Sequence, residues 1–310
     1  MGRGVGFGKV ILFNEHFVVY GIPAIVSAVG AKTTAIVDRE PGLGYELKDE
    51  RPETPGYKAE KLQQQRDSLD IMLKFMNIDT QKHHYVITLG GDLIAASGVG
   101  ASAASCAAIA RAFSQELDLN FSDEKINEVA YEGEKGYHGT PSGIDNTAAT
   151  YGGLIWYRRE GSAQRMERMQ LRKPVEIVMG NTGKVADTKS VVAGVKDRKE
   201  KGPEKYERLF QDADQLVRDA RKELESCNLD KVGAYMNANH RLLQEIGVSS
   251  PELDDLVKLA RENGAVGAKL TGTGRGGYMV ALTPGRELQD RVANEIHRRG
   301  LDVLCTLIGV

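Results

Sequence analysis

Ser97-Gly98-Val99-Gly100-Ala101-Ser102 stands immediately before a run of small residues that continues as a helical pattern through Phe113. Glycines let a backbone come close to a ligand. The start of a helix adds N–H groups without intrahelical partners, at the positive end of the helix dipole. Such a loop suits a polyphosphate. It lacks the Lys-Ser/Thr ending of a Walker loop and is not a dinucleotide fingerprint, so alone it reads more readily as a tight structural turn.

Three further segments bear on that choice. In Glu134-Lys135-Gly136-Tyr137-His138-Gly139-Thr140-Pro141-Ser142-Gly143-Ile144-Asp145-Asn146 a helix breaks at Gly139 and Pro141, and a single acid follows at Asp145. Phosphoryl transfer to an alcohol needs an acceptor for the hydroxyl proton, or a charge that orients it. Taken by itself, Asp145-Asn146 is simply a turn. Near the start, Lys9 precedes Glu15-His16 across an apolar run. A Lys beside an Asp neutralises developing phosphoryl charge, whereas the plain alternative is a solvated Lys at a strand edge. Lys269-Leu270-Thr271-Gly272-Thr273-Gly274-Arg275-Gly276-Gly277 is a second Gly-rich loop, or a hairpin turn between two strands. His83, His84, His240 and His297 have no evident partners and read as surface or core.

Around these segments the pattern alternates between strand and helix. Strands are expected at Val5 to Phe13, Ala24 to Val29, Ala31 to Val37, Tyr85 to Leu89, around Trp156, at Val175 to Met179, Ala268 to Leu270 and Tyr278 to Leu282. Helices are expected from Lys58 to Met76, after an N-cap at Ser122, from Pro203 to Ser226, from Leu229 onward, after Ser250-Pro251 and from Glu287 to Arg299. Residues 39 to 57, rich in Pro, Gly and charge, read as a surface loop. The order fits an α+β fold of two halves joined near residues 158 to 173, an N-terminal ATP-binding domain over 1–160 and a C-terminal domain over 161–310.

Composition removes other classes. The 310 residues carry a formal net charge of -2 with Lys and Arg scattered, which argues against a nucleic-acid or membrane-surface partner. Cys106, Cys227 and Cys305 are far apart and odd in number, so neither a disulfide framework nor a zinc site is expected. No signal-peptide pattern and no apolar run of about 18 residues is seen, and a cytoplasmic protein is expected.

The four segments, in this order, resemble the superfamily of galactokinases, homoserine kinases, mevalonate kinases and phosphomevalonate kinases (GHMP kinases), from Gly8 to about Leu282. Within it the chain is most similar to the mevalonate kinase family, through Gly8 to Phe13, Glu15 to Gly21, His138 to Asn146, Thr150 to Gly153, Asn181-Thr182, Asp187 to Lys189, Met236 to His240 and Ile246 to Ser249. The resemblance implies an N-terminal domain like domain 2 of ribosomal protein S5 and a ferredoxin-like C-terminal domain. It implies ATP-dependent phosphorylation of the C5 hydroxyl of mevalonate to 5-phosphomevalonate and ADP, in the mevalonate route to isoprenoids. Asp145 would act as base or orienting charge with Lys9 beside it. Ser97, Gly98, Val99, Gly100, Ala101 and Ser102 would wrap the ATP phosphates, and Ser102 with Glu134 would hold Mg²⁺. Glu15, His16, Thr188, Gly272, Thr273 and Gly274 would line the mevalonate pocket. A homodimer stays open.

The chain departs from that family's pattern at several places. Asn14 stands where Gly is usual before Glu-His, Ala101 replaces the first Ser of a pair, and Asp92, Ala95 and Ala96 stand where prolines are frequent. Arg275 replaces a frequent Gly and would reach a phosphate or point to water. Asn14 puts most in doubt, because its side chain adds bulk near the substrate, although Asn tolerates positive φ. Two alternatives remain: another GHMP kinase, acting on phosphomevalonate or homoserine, or a non-catalytic member that binds ATP or a metabolite.

Overall fold

A computed structural model describes residues 1–53, 57–94, 98–161, 163–184 and 187–310. Ser97, with Ala95 and Ala96 ahead of it, lies outside the described residues. The chain forms two compact units that interleave along the sequence. The first takes Met1–Lys9 and Ala28–Gly152, and the second takes Val10–Ser27 and Gly153–Val310.

The first unit contains the start of β1 (Gly2–Phe13), most of β2 (Ala24–Glu40), β3 (Gly44–Asp49), α1 (Tyr57–Phe75), β4 (His84–Gly91), α2 (Ala101–Glu116), α3 (Asp123–His138) and α4 (Ile144–Tyr151). β4 pairs antiparallel with β2 and parallel with β3, and β1 pairs with β2. Two stretches expected as separate strands, Ala24 to Val29 and Ala31 to Val37, are one strand. Gly30 stays extended between them instead of turning. The expected loop over 39 to 57 contains β3, which completes the edge of this sheet.

What sets the position of α2 is a row of glycines. Gly2, Gly4 and Gly6 alternate along β1 and so share one face of the strand. Cβ atoms there would lie 2.1, 2.0 and 2.0 Å from the carbonyl oxygens of Ala112, Ala108 and Ala104. Those alanines recur every four residues along one face of α2. Helix backbone therefore lies directly on strand backbone, an approach only hydrogen side chains permit. α3 begins as expected, with Ser122 Oγ accepting from Lys125 N at 3.3 Å and Asp123 and Glu124 in its first turn.

The second unit contains β5 (Leu154–Glu160), β6 (Ala163–Met169), β7 (Val175–Asn181), α5 (Thr188–Lys201), α6 (Pro203–Glu225), α7 (Leu229–Glu245), α8 (Pro251–Glu262), β8 (Gly267–Thr271), β9 (Tyr278–Leu282), α9 (Arg286–Arg298) and β10 (Val303–Ile308). The stretch 158 to 173, expected as a joint between domains, contains β6 in an antiparallel hairpin with β5, and Ala24–Ser27 pairs on β5's other side. β10, β7, β9 and β8 follow one another as antiparallel neighbours. α7 and α8 pack on β8, and α9 packs on β7 and β10. β8 and β9 are buried along their whole length, which is why they read as unbroken apolar runs. α8 starts with Ser250 capping Leu253 N and Pro251 in the first turn. Among the described residues no helix is long and apolar enough to cross a membrane.

Replacing Gly4 with Ala is expected to force α2 off β1 and to lower stability by about 1–3 kcal/mol, the usual cost of overpacking. Urea unfolding of Gly4→Ala against the parent measures it, and an unchanged midpoint would refute the glycine contact.

Candidate active site

In the first unit, β1 and α2 bring Lys9 to the Gly-rich loop. Lys9 N donates to Val99 O at 2.8 Å, so the strand holds the loop by its backbone. Gly100, the residue before α2, has φ 78°, and a Cβ on it would sit 2.8 Å from Lys9 Cγ. Both facts require glycine. Among the described residues no side chain caps α2, which leaves its first N–H groups at the positive end of the helix dipole. Arg51 supports the same turn from below: its buried guanidinium donates to Ala101 O at 3.2 Å and Ser105 Oγ at 2.6 Å, and pairs with Asp49 at 2.6 Å.

Asp145 belongs to the first turn of α4, not to the free turn its sequence suggests, because Gly143 at φ 86° lets the chain enter a helix directly. A negative side chain suits that end of a helix. Its Oδ1 lies 3.2 Å from Lys9 Nζ. Glu134, near the end of α3, is almost fully buried, and its Oε1 has no hydrogen-bond partner among the described residues. Burial pushes its carboxyl up to about 8, with the Asp145 charge adding to the rise. A hydrogen bond from Ser102 and the Lys9 charge oppose it. His138 Nε2 is 3.8 Å from Glu134 Oε2. An orphaned buried carboxylate oxygen and a hydroxyl on the same group form an oxygen donor set that fits a hard divalent cation shared with phosphate oxygens.

The second unit gathers another cluster. Glu15 and Lys269 form a fully buried ion pair, and Lys269 also donates to Leu270 O at 2.6 Å. Burial lowers the Lys269 pKa more than its Glu15 partner raises it. His16 Nε2 is 2.7 Å from Thr273 O, and Thr188 Oγ1 is 2.8 Å from Thr273 Oγ1. Burial takes His16 down to about 4, with the Thr273 carbonyl opposing and the Lys269 and Arg198 charges reinforcing. A carbonyl only accepts, so this neutral ring carries its proton on Nε2 and leaves Nδ1 as an acceptor. The loop after β8 is pinned by Arg275 N to Val248 O at 2.9 Å. Gly274 at φ 75° fits where a Cβ would be 2.2 Å from Val248 O.

The structure thus joins Lys9, Gly98–Ser102, Glu134 and Asp145 in one unit, and Glu15, His16, Thr188 and Thr273, on the Gly272–Gly274 loop, in the other. Some expectations change. Arg275 is exposed, and its Nε and Nη2 donate to Gly247 O at 3.2 and 3.0 Å. His240 is not without partners, since Nδ1 accepts from Leu270 N at 3.3 Å and Nε2 lies 3.1 Å from Asp254 Oδ1. Lys269 and Arg51 were not expected among the working residues. Only the apolar context of Ala268-Lys269-Leu270 hinted that Lys269 is buried, and nothing local marks Arg51.

Two outcomes follow from this charge arrangement. Lys269→Met strands the Glu15 carboxylate and is expected to cost about 3–5 kcal/mol, with Glu15→Gln/Lys269→Met recovering part of it in urea unfolding. His16 has a folded pKa of about 4 against 6.5 unfolded, so its contribution is whole above pH 6.5 and drains as pH falls towards 4. About 2 kcal/mol of it is gone at pH 5, and His16→Gln should flatten that part of the stability–pH curve.

Known proteins resemble this chain over most of its length. GHMP kinases N terminal domain matches residues 66–153, and GHMP kinases C terminal matches residues 220–302. A mevalonate kinase of Pyrococcus abyssi is 36% identical over 312 residues, covering 93% of this chain and 90% of that protein. One from Pyrococcus horikoshii is 36% identical over 315 residues, again covering 93% and 90%. The crystal structure of L. major mevalonate kinase in complex with R-mevalonate superposes with a TM-score of 0.95 at 38% identity, covering 99% of this chain and 96% of that one. With identity of this extent spanning both clusters, the chain belongs to the mevalonate kinase family of the GHMP kinases.

Proposed function

We propose that the chain transfers the γ-phosphoryl group of ATP to the C5 hydroxyl of mevalonate, giving 5-phosphomevalonate and ADP. The observation that carries this reading is the Lys9–Asp145 pair at 3.2 Å, in the same unit as the uncapped start of α2. The helix start and the backbone N–H groups of Gly98 to Ser102 cradle the phosphate chain. Asp145 orients the acceptor hydroxyl and takes its proton as the oxygen–phosphorus bond forms and the bond to the ADP oxygen breaks. Lys9 offsets the charge gathering on the transferred group. Ser102 and Glu134 would hold Mg²⁺, which when bound supplies charge neutralisation for the phosphates.

The acceptor is assigned to the second-unit cluster, with His16 Nδ1 as an acceptor and Thr188 and Thr273 as hydroxyl partners. Among the described residues, three cations there are already engaged: Lys269 by Glu15, and Arg198 and Arg275 by the Ile246 and Gly247 carbonyls. That favours an acceptor without a phosphate of its own over phosphomevalonate. Cytoplasmic placement and small-molecule partners alone follow from the same reading.

ADP release with Mg-ATP and mevalonate tests it. The parent should turn over, and Asp145→Ala should lose roughly 10²–10⁴-fold in kcat while still binding nucleotide. Turnover on phosphomevalonate or homoserine but not mevalonate would overturn the substrate assignment, and binding without turnover would overturn catalysis itself.

A further inference from the structure

β1 ends at Phe13, and the next residue, Asn14, is completely buried in a left-handed conformation at φ 70°. Its side chain is saturated. Nδ2 donates to Pro23 O at 2.9 Å and to Ala213 O on α6 at 3.0 Å, while Oδ1 accepts from Asn239 Nδ2 on α7 at 2.9 Å. The return contact comes from the backbone, with Asn14 N donating to Asn239 Oδ1 at 3.2 Å. Asn14 O then accepts from Val18 N at 3.2 Å, closing the turn that carries Glu15 and His16. The root of this turn is therefore fixed in rotation as well as in place.

The other side of the cluster is fixed by the same helix. Asn237 Oδ1 accepts from Ala268 N at 3.0 Å, and His240 Nδ1 accepts from Leu270 N at 3.3 Å. These are the residues on either side of Lys269. α7 thus sets both partners of the buried Glu15–Lys269 pair, the first through Asn239 and Asn14, the second through Asn237 and His240. A buried ion pair is favourable only in good geometry, so its two halves need a common reference.

Building on the substrate assignment above, we propose that Asn14 and Asn239 are positioning residues: their paired amides aim His16 at the acceptor, and hold Glu15 on Lys269, without touching the acceptor themselves. Loss of the pair leaves the fold and the nucleotide cluster in place and loosens the acceptor cluster alone. Asn14→Gly keeps the left-handed backbone and deletes the amide. Asn239→Ala deletes the partner and leaves the bonds from Asn14 to Pro23 and Ala213.

The test is steady-state kinetics on both variants, with the ring tautomer of His16 followed by ¹⁵N NMR. The expected result is a KM for mevalonate raised roughly tenfold or more, with kcat and the KM for ATP within about threefold. The His16 ring should also lose its fixed Nε2–H form. The double variant should be no worse than the more affected single one, because both break one pair. A lower melting temperature with unchanged KM for mevalonate and an unchanged His16 spectrum would reduce the pair to a fold clamp and overturn the proposal. Should Asn14→Gly fail to fold, Asn239→Ala decides alone. A parent inactive on mevalonate sinks the substrate assignment instead, and the His16 spectra of the two variants still decide the positioning role.

Discussion

Helix α2 can begin where it does only because β1 offers it no side chains. With Gly2, Gly4 and Gly6 facing Ala112, Ala108 and Ala104, strand and helix meet backbone to backbone. The contact works as a ruler, since strand residues alternate in direction every second position while helix residues return to one face about every fourth. Two residues of strand and four of helix span similar distances, so the glycines and alanines stay matched along three steps. Beyond this row, strand and loop touch again where Lys9 lies against Gly100 and its N–H bonds Val99. The first-unit cluster is the end of a packing pattern whose cause lies in residues that do no chemistry.

Buried charge is treated differently in the two clusters. In the second unit, Lys269 and Glu15 neutralise one another and their burial is complete, so the pair gives shape and no free charge. In the first, Glu134 is buried beside a second carboxylate, and its proton affinity rises accordingly. Desolvation of a buried carboxylate costs several kcal/mol, and Glu134 offsets it by holding its proton to higher pH. The contrast separates a carboxylate neutralised by a buried ammonium from one whose proton affinity is raised by its surroundings.

Much of this was legible in the chain. Ser122 and Ser250 announced their helices through capping chemistry that is local in sequence. β8 and β9 announced theirs through unbroken apolar runs. Lys9, Glu134 and Asp145 were singled out through the resemblance of motif order to a kinase family, and the structure brings them into one unit. The glycine alternation in Gly2-Arg3-Gly4-Val5-Gly6 was equally visible, yet its meaning depends on α2, about a hundred residues away. The single strand Ala24–Glu40 was missed because Gly30 is as compatible with extension as with a turn. Arg51 carried no local sign at all: its partners Ala101 and Ser105 are set by the fold.

The departures from the family pattern show the same dependence most sharply. Judged in sequence, Asn14 looked like bulk set beside a substrate, and Arg275 like a free cation at a phosphate loop. Each proves to be consumed by backbone carbonyls: Asn14 by Pro23 and Ala213, Arg275 by Gly247. Both also hold a left-handed backbone angle, at 70° and 53°, which a glycine would adopt at less strain. A polar side chain at such a position offsets that strain when its donors reach carbonyls. Ala213, Gly247 and Pro23 supply those carbonyls from segments remote in sequence. Replacing a glycine here therefore exchanges freedom of the backbone for a tether, and the turn that results is stiffer than the one a glycine would make.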